Sequence, residues 1–141
     1  MSDRRAQDAL DKRLARGAAA VVAFAFDIAP ETLHRKTRGT GAESEARQIM
    51  LAVQRRAAVI ARTETSIQRL GRGVDRDRTT VAHALHKIEE ASEGSAEVDA
   101  FIDALARIVA DLIQISAVTT EEIARGVAAA RAGELEGAED A

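Results

Sequence analysis

Five consecutive residues have side chains that can form hydrogen bonds, and they stand directly before the apolar residue Val81. They are Arg76-Asp77-Arg78-Thr79-Thr80. Arginine forms a two-pronged hydrogen bond to guanine O6 and N7, threonine offers a hydroxyl and a methyl group, and aspartate accepts from cytosine N4. A helix that begins at such a run also points its free backbone N–H groups at phosphate. The run is therefore typical of a surface that reads base edges in the DNA major groove.

The residues on either side of this run predict two helices joined by a turn. Residues 66–70 form a short helical segment, residues 71–73 (Gly-Arg-Gly) break it, and Asp75 or Asp77 caps a second helix that ends near Glu90. The second helix would bury four apolar residues at helical spacing: Val81, Ala84, Leu85 and Ile88. This is the helix-turn-helix pattern, in which the second helix enters the major groove N-terminus first.

The rest of the chain is also predicted to be helical, so we expect an all-α, multi-helix fold. Apolar residues recur at three- and four-residue spacing in the longer segments, Pro30 suits the first position of a short helix, and Thr119 with Glu122 resembles a capping box. The predicted helices outside the helix-turn-helix span roughly 3–26, 30–33, 43–62, 98–115 and 119–131.

We predict three parts along the chain: a DNA-binding domain over 1–91, a helical appendage over 92–131 and an acidic, disordered tail over 132–141. The apolar stripe of the appendage has two interpretations. It either closes the core of its own chain or docks a protein partner or a second copy, and we favour docking. The predicted partner-binding residues are Phe101, Leu105, Ile108 and Leu112.

The charge along the chain is segregated. Residues 34–88 carry twelve Lys and Arg against five Asp and Glu, whereas residues 89–141 carry three basic against thirteen acidic residues. A basic centre indicates attraction to nucleic acid, and an acidic C-terminal third would repel phosphate and limit non-specific binding.

The composition argues against several other classes of protein. The chain has no cysteine, so neither a disulfide framework nor a cysteine-based zinc site is possible. No apolar run approaches the roughly 18 residues of a membrane helix, and the polar start does not resemble a signal peptide. Aromatic residues are scarce, which disfavours base stacking as the main mode of contact. We expect a cytoplasmic protein associated with the nucleoid, with no membrane contact.

Neither a metal site nor an enzyme active site is predicted. His83 and His86 lie three residues apart, but no carboxylate stands well placed on that helical turn, and His34 is distant in sequence. Glu89 and Glu90 fall at a predicted exposed helix end, where carboxylates are normally solvated. No glycine-rich loop with Lys and Ser or Thr is present to bind a nucleotide. We therefore expect no catalytic residue, no cofactor and no small-molecule substrate.

A family resemblance covers roughly residues 20–90. Leu70-Gly71, followed by R-D-R-T-T-V-A-H-A-L-H-K-I-E over 76–89, resembles the C-terminal DNA-binding domain of the bacterial replication initiator DnaA. The motif of that family runs I-G-x-x-F-G-G-R-D-H-T-T-V-x-H-A-x-x-K-I-E. Arg47-Gln48 followed by Met50 is similar to its R-Q-x-x-M helix, and the segment 22–33 resembles its entry helix and turn.

The resemblance implies roles for individual residues. Residues 76–80 would face the major groove, Arg35 or Arg38 would enter the adjacent minor groove, and Lys36 would contact phosphate. The departures from the motif are Arg78 in place of the histidine that reads a base, and Asp75 in place of a glycine. We therefore expect a different DNA site or looser selectivity. The predicted DNA-binding residues are Arg35, Lys36, Arg38, Arg47, Arg76, Asp77, Arg78, Thr79, Thr80, His83 and Lys87.

Because no ATPase motif accompanies the DNA-binding motif, the chain resembles stand-alone DnaA-like regulators. These include the DnaA-like part of activators of phage-derived gene transfer agent clusters. That resemblance implies a sequence-specific transcription activator that binds double-stranded DNA and acts with a sigma-like partner and RNA polymerase, or as a homodimer through residues 96–131. The alternatives are a replication-control factor that competes with DnaA at origins, and a helical adaptor without DNA binding.

Overall fold

The computed structural model describes residues 2–34, 41–63, 66–74, 76–116 and 120–139. Within these ranges it contains seven helices and no strand, which confirms the all-α prediction. The helices are α1 (Ser2–Phe26), α2 (Pro30–His34), α3 (Gly41–Ile60), α4 (Ile67–Val74), α5 (Arg78–Gly94), α6 (Ala96–Ser116) and α7 (Thr120–Glu139).

Helices α1 and α3 end in the same way, with a residue in the left-handed conformation. Asp27 and Arg62 have positive φ angles of 53° and 58°, the left-handed conformation that reverses the chain after a helix. The N–H of Ile28 donates to the carbonyl of Ala23 at 3.0 Å, and a bond of the same type closes the end of α3. These paired bonds occupy carbonyls that would otherwise lack partners, so each helix ends sharply without a glycine.

The core lies among α1, α3 and α6, which all pack against one another. Alanine is its most frequent residue, followed by leucine, and the small alanine side chains allow the helices to approach closely. Helices α1 and α6 approach closely at Gly17, where an added Cβ would lie 3.1 Å from a methyl group of Val109. The glycine in the middle of α1 is therefore explained by the crossing of α6 rather than by a break in the helix.

Helix α6 belongs to this core and not to an appendage. Ile102, Val109 and Ile113 are buried against α1 and α3. The predicted boundary at residues 91 and 92 falls within α5, which also packs on α6. The prediction that Leu105 binds a partner is wrong, because this side chain is 7% exposed and lies in the core. An apolar stripe identifies a buried face without identifying what buries it, which explains the error.

Helix α5 buries the face that its spacing predicts, and α2 is also as expected. Val81, Ala84, Leu85 and Ile88 all lie in the core, and Leu33 is buried beneath α2. Two partly exposed ion pairs connect α3 to its neighbours α5 and α6. Arg55 of α3 contacts Glu89 of α5 at 2.8 Å, and Arg56 of α3 contacts Asp99 of α6 at 2.6 Å.

Two segments are more helical than the sequence suggested. Helix α4 continues through Gly71 to Val74 instead of breaking at residues 71–73. Helix α7 runs to Glu139, so the prediction of disorder over 132–141 is wrong for residues 132–139. The alanines, glutamates and leucine in that stretch are good helix formers, and no proline interrupts them. None of the helices in the described part of the chain combines the length and apolarity needed to span a membrane.

Candidate nucleic-acid interface

The turn between α4 and α5 is held by a close backbone approach. The N–H of Arg76 donates to the carbonyl of Gly71 at 2.8 Å. A Cβ added at Gly71 would lie only 2.4 Å from the carbonyl oxygen of Arg76, a distance that real side chains essentially never reach. Glycine is therefore required here by the backbone of the turn, and it fixes the angle at which α5 leaves α4.

Asp77 caps the N-terminus of α5. Its backbone is extended, and its carboxylate accepts a hydrogen bond from the N–H of Thr80 at 3.2 Å. Hydrogen bonds from the side chain and the backbone of Thr80 lower the pKa of Asp77 below its ordinary value of 3.8. Of the two predicted caps, the structure selects Asp77, and Asp75 lies outside the described residues.

The side chains at the start of α5 are directed away from the core. Four of the predicted DNA-binding residues on this helix lie on its exposed side, opposite the face that Val81 and Leu85 bury. Because residues three and four apart share a helical face, they form one strip, which consists of Thr79, Thr80, His83 and Lys87. Arg78, the first residue of α5, is also exposed but lies outside this strip, where it lines the hollow described next.

An open hollow of about 400 Å³ lies between the end of α4 and the start of α5. Its lining joins three predicted residues, Arg76, Asp77 and Arg78, to two that the sequence analysis missed, Gln68 and Arg72. The missed pair stands four residues apart and therefore shares one side of α4. We call the hollow and the strip on α5 together the α4–α5 surface.

Helix α4 is attached to α1 by a network of charged and polar groups. Arg69 donates two hydrogen bonds to the carboxylate of Asp11, at 2.9 and 3.1 Å, and a further one to the side-chain oxygen of Gln7. The side chains of this pair are only 18% and 11% exposed. Arg72 lies 4.0 Å from Asp8 one turn away. A buried arginine fork of this kind fixes orientation as well as distance, so α1 sets the position of α4.

Arg47 is placed differently from the other predicted DNA-binding residues. Its guanidinium donates two hydrogen bonds to the carbonyl of Thr32, at 3.0 and 3.2 Å, and so ties α3 to the short helix α2. The structure thus gives Arg47 a positioning role between α2 and α3. Arg35, Lys36 and Arg38, the other predicted members of the site, lie outside the described residues.

The histidines do not form a metal site in the described part of the chain, where no group of three or more potential metal ligands comes together. His83 and His86 are exposed on α5, and His86 lies 3.0 Å from a carboxylate oxygen of Glu90. His34 is exposed at the end of α2. His83 and His86 therefore contribute polar side chains to the exposed surface of α5.

The predicted partner-binding residues other than Leu105 remain accessible on α6. Ile108 and Leu112 are each nearly half exposed. Phe101 is similarly exposed, although its ring packs against Phe26 of α1 with the ring centroids 6.1 Å apart.

No protein-family model matches the sequence, and no curated protein matches it significantly.

Proposed function

We propose that this protein binds double-stranded DNA through a helix-turn-helix composed of α4, α5 and the turn between them, which contains Arg76 and Asp77. The observation that carries the proposal is the set of exposed side chains on α5, namely Arg78 at its capped N-terminus and the strip of four residues that faces away from the core. Arg78, Thr79 and Thr80 offer the donors and acceptors that base edges in the major groove require.

Electrostatics support the same assignment. Residues 34–88, which contain the whole α4–α5 surface, carry twelve basic and five acidic residues. Arg72 and Arg76 flank the hollow beside α5, where a phosphate of the DNA backbone would lie while the strip reaches the bases. A surface of this kind positions the protein through phosphate contacts and selects sequence through base contacts.

The resemblance to the DnaA C-terminal domain supports the proposed orientation, in which α5 enters the major groove N-terminus first. The glycine of its I-G pair corresponds to Gly71, where the turn demands a residue without Cβ, and the aspartate of its R-D pair corresponds to the cap, Asp77. In our proposal Arg78 replaces the family's histidine as a reader of a base, so the preferred DNA site differs from the initiator's site. Arg35 or Arg38 would enter the adjacent minor groove, and Lys36 would contact phosphate.

The resemblance to stand-alone DnaA-like regulators, together with the α4–α5 surface, supports a role in regulation. We therefore propose a transcription regulator, acting as an activator with a second protein such as a sigma-like factor or RNA polymerase. Genome-wide occupancy of the tagged protein tests this role. Peaks at promoters are expected, and a single dominant peak at the replication origin would instead indicate replication control.

The DNA site and the role of Arg78 are tested together by selecting bound sequences from a random pool of duplexes. The wild-type protein should enrich a defined site, and Arg78→Ala should lose on the order of 1 to 3 kcal/mol of preference at one base pair of it. Arg131→Ala, which removes an exposed arginine of α7, is the matched control and should select the wild-type site. If Arg78→Ala selected the same DNA sequences as wild type, the proposed contact between the start of α5 and the bases would be contradicted.

A further inference from the structure

Two arginines of α4 face carboxylates of α1, and the two pairs differ in strength. The guanidinium of Arg69 donates hydrogen bonds to Asp11 at 2.9 and 3.1 Å, and both side chains are largely buried. The guanidinium of Arg72 lies 4.0 Å from a carboxylate oxygen of Asp8, and about half of each side chain is exposed. A separation of 4.0 Å is too long for a hydrogen bond, so charge attraction alone holds this second pair. Arg69 is therefore fixed within the protein, whereas Arg72 is held loosely at the surface.

Arg72 also stands at the edge of the hollow in the α4–α5 surface. It lines this hollow of about 400 Å³ together with Gln68, Arg76 and Arg78. The residue thus borders both Asp8 and the space in which a DNA phosphate would lie. A long arginine side chain that is half exposed has several staggered rotamers available, so its charged end can move between neighbouring anions without disturbing the core.

We propose that Asp8 competes with DNA for Arg72. In the free protein the arginine rests against Asp8, and on binding it turns to a phosphate of the DNA backbone. The affinity for DNA is then lowered by the free energy needed to break the pair. Asp8 therefore sets the affinity without contacting DNA itself. This inference rests on the proposed binding of DNA by the α4–α5 surface, because the hollow receives a phosphate only if DNA binds there.

The exposure of the pair determines how large the effect is. An ion pair between exposed side chains typically changes an equilibrium by a factor of at most about five. A phosphate can replace a partner that is held so weakly, whereas breaking the largely buried pair of Arg69 with Asp11 would cost far more. Because a phosphate contact carries no sequence information, the competition should change the affinity for all DNA sequences alike.

A double-mutant cycle on the full-length chain tests the proposal. Asp8→Asn removes the carboxylate charge at nearly constant shape, Arg72→Gln removes the cation, and a third variant combines the two changes. Fluorescence anisotropy measures the affinity of each variant for a selected duplex and a scrambled duplex. Asp8→Asn should bind both duplexes about two- to fivefold more tightly than wild type, and Arg72→Gln should bind both more weakly. In the Arg72→Gln background the gain from Asp8→Asn should disappear, because no cation remains for which the carboxylate competes.

Two controls accompany the cycle. Asp111→Asn removes one negative charge from an exposed position of α6 and should raise the affinity for DNA less than Asp8→Asn does. The helical content of every variant, measured by circular dichroism, should match that of wild type, because the side chains of Asp8 and Arg72 are about half exposed.

Three outcomes would overturn the proposal. An equal gain from Asp8→Asn with and without Arg72 would show that the carboxylate repels DNA directly. An unchanged affinity in Asp8→Asn, with weaker binding by Arg72→Gln, would show that Asp8 does not compete. An unchanged affinity in Arg72→Gln would place Arg72 outside the contact with DNA. In these three cases the wild type still binds duplex DNA and the proposed function stands, whereas a wild type that bound no duplex would remove the proposed function and this inference together.

Discussion

The molecule has two exposed surfaces of opposite character. The α4–α5 surface is polar and basic, and the backbone contact at Gly71, the cap at Asp77 and the ion pair of Arg69 with Asp11 fix its geometry. The second surface is apolar and consists of residues that are about half exposed on α6 and α7: Phe101, Ile108, Leu112, Ile123 and Val127. The first surface suits a charged, hydrated ligand such as DNA, and the second suits another apolar helix. Salt should therefore weaken DNA binding at the α4–α5 surface and leave any apolar contact made by α6 and α7 intact.

The largest effect is expected from breaking the link between α1 and α4. Asp11→Ala removes the carboxylate that pairs with the largely buried guanidinium of Arg69, so the free energy of unfolding should fall by about 3 kcal/mol. Urea denaturation followed by circular dichroism measures this loss. Asp8→Ala, whose side chain is half exposed, is the control and should cost less than about 1 kcal/mol. Equal losses would show that the buried pair does not fix α4.

The next effect tests whether α6 belongs to the core in solution. Gly17→Leu forces a large side chain against Val109, which already lies within 3.1 Å of an added Cβ, so stability should fall by about 2 kcal/mol. Gly94→Leu is the matched control, because a Cβ there meets nothing within 4 Å. Thermal unfolding of both variants checks the prediction. If Gly17→Leu were as stable as wild type, α6 would have to pack elsewhere.

A smaller effect is expected at the cap of α5. Asp77→Ala removes an acceptor for the N–H of Thr80 and should lower the free energy of unfolding, by less than Gly17→Leu does. Because the pKa of Asp77 is lowered in the folded protein, this stabilisation is complete above the ordinary value of 3.8 and is lost as the pH falls through the lower folded value. The stability difference between wild type and Asp77→Ala should thus be constant from pH 5 to 8 and shrink in acid. A difference that grew on acidification would contradict the assigned hydrogen bonds.

The smallest effect is expected from a single phosphate contact. Lys36→Ala should weaken binding to all DNA sequences alike, by less than about tenfold, and reduce the salt slope by about 1. Fluorescence anisotropy with a selected and a scrambled duplex provides the measurement. A loss confined to the selected duplex would mean that Lys36 reads a base instead of a phosphate.

Local patterns in the sequence were sufficient to predict the helices and the buried face of α5. Val81 and Ile88 repeat at helical spacing, and Asp77 stands where a cap must stand, so these features depend only on neighbouring residues. The burial of Leu105 and the continuation of α4 through Gly71 depend on contacts distant in sequence: the packing of α6 on α1 and α3, and the carbonyl of Arg76. Gln68 and Arg72 were missed because only the folded turn brings α4 beside the start of α5.

The central claim, that the α4–α5 surface binds DNA, is tested most directly by the salt dependence of affinity for duplex DNA. If three or more of the exposed cations contact phosphate, log K should fall linearly with log salt with a slope of about −3 or steeper. Arg78→Ala should make the slope shallower or remove the preference for the selected site, whereas Arg131→Ala should change neither. A flat salt response, or binding too weak to measure at low salt, would contradict the claim.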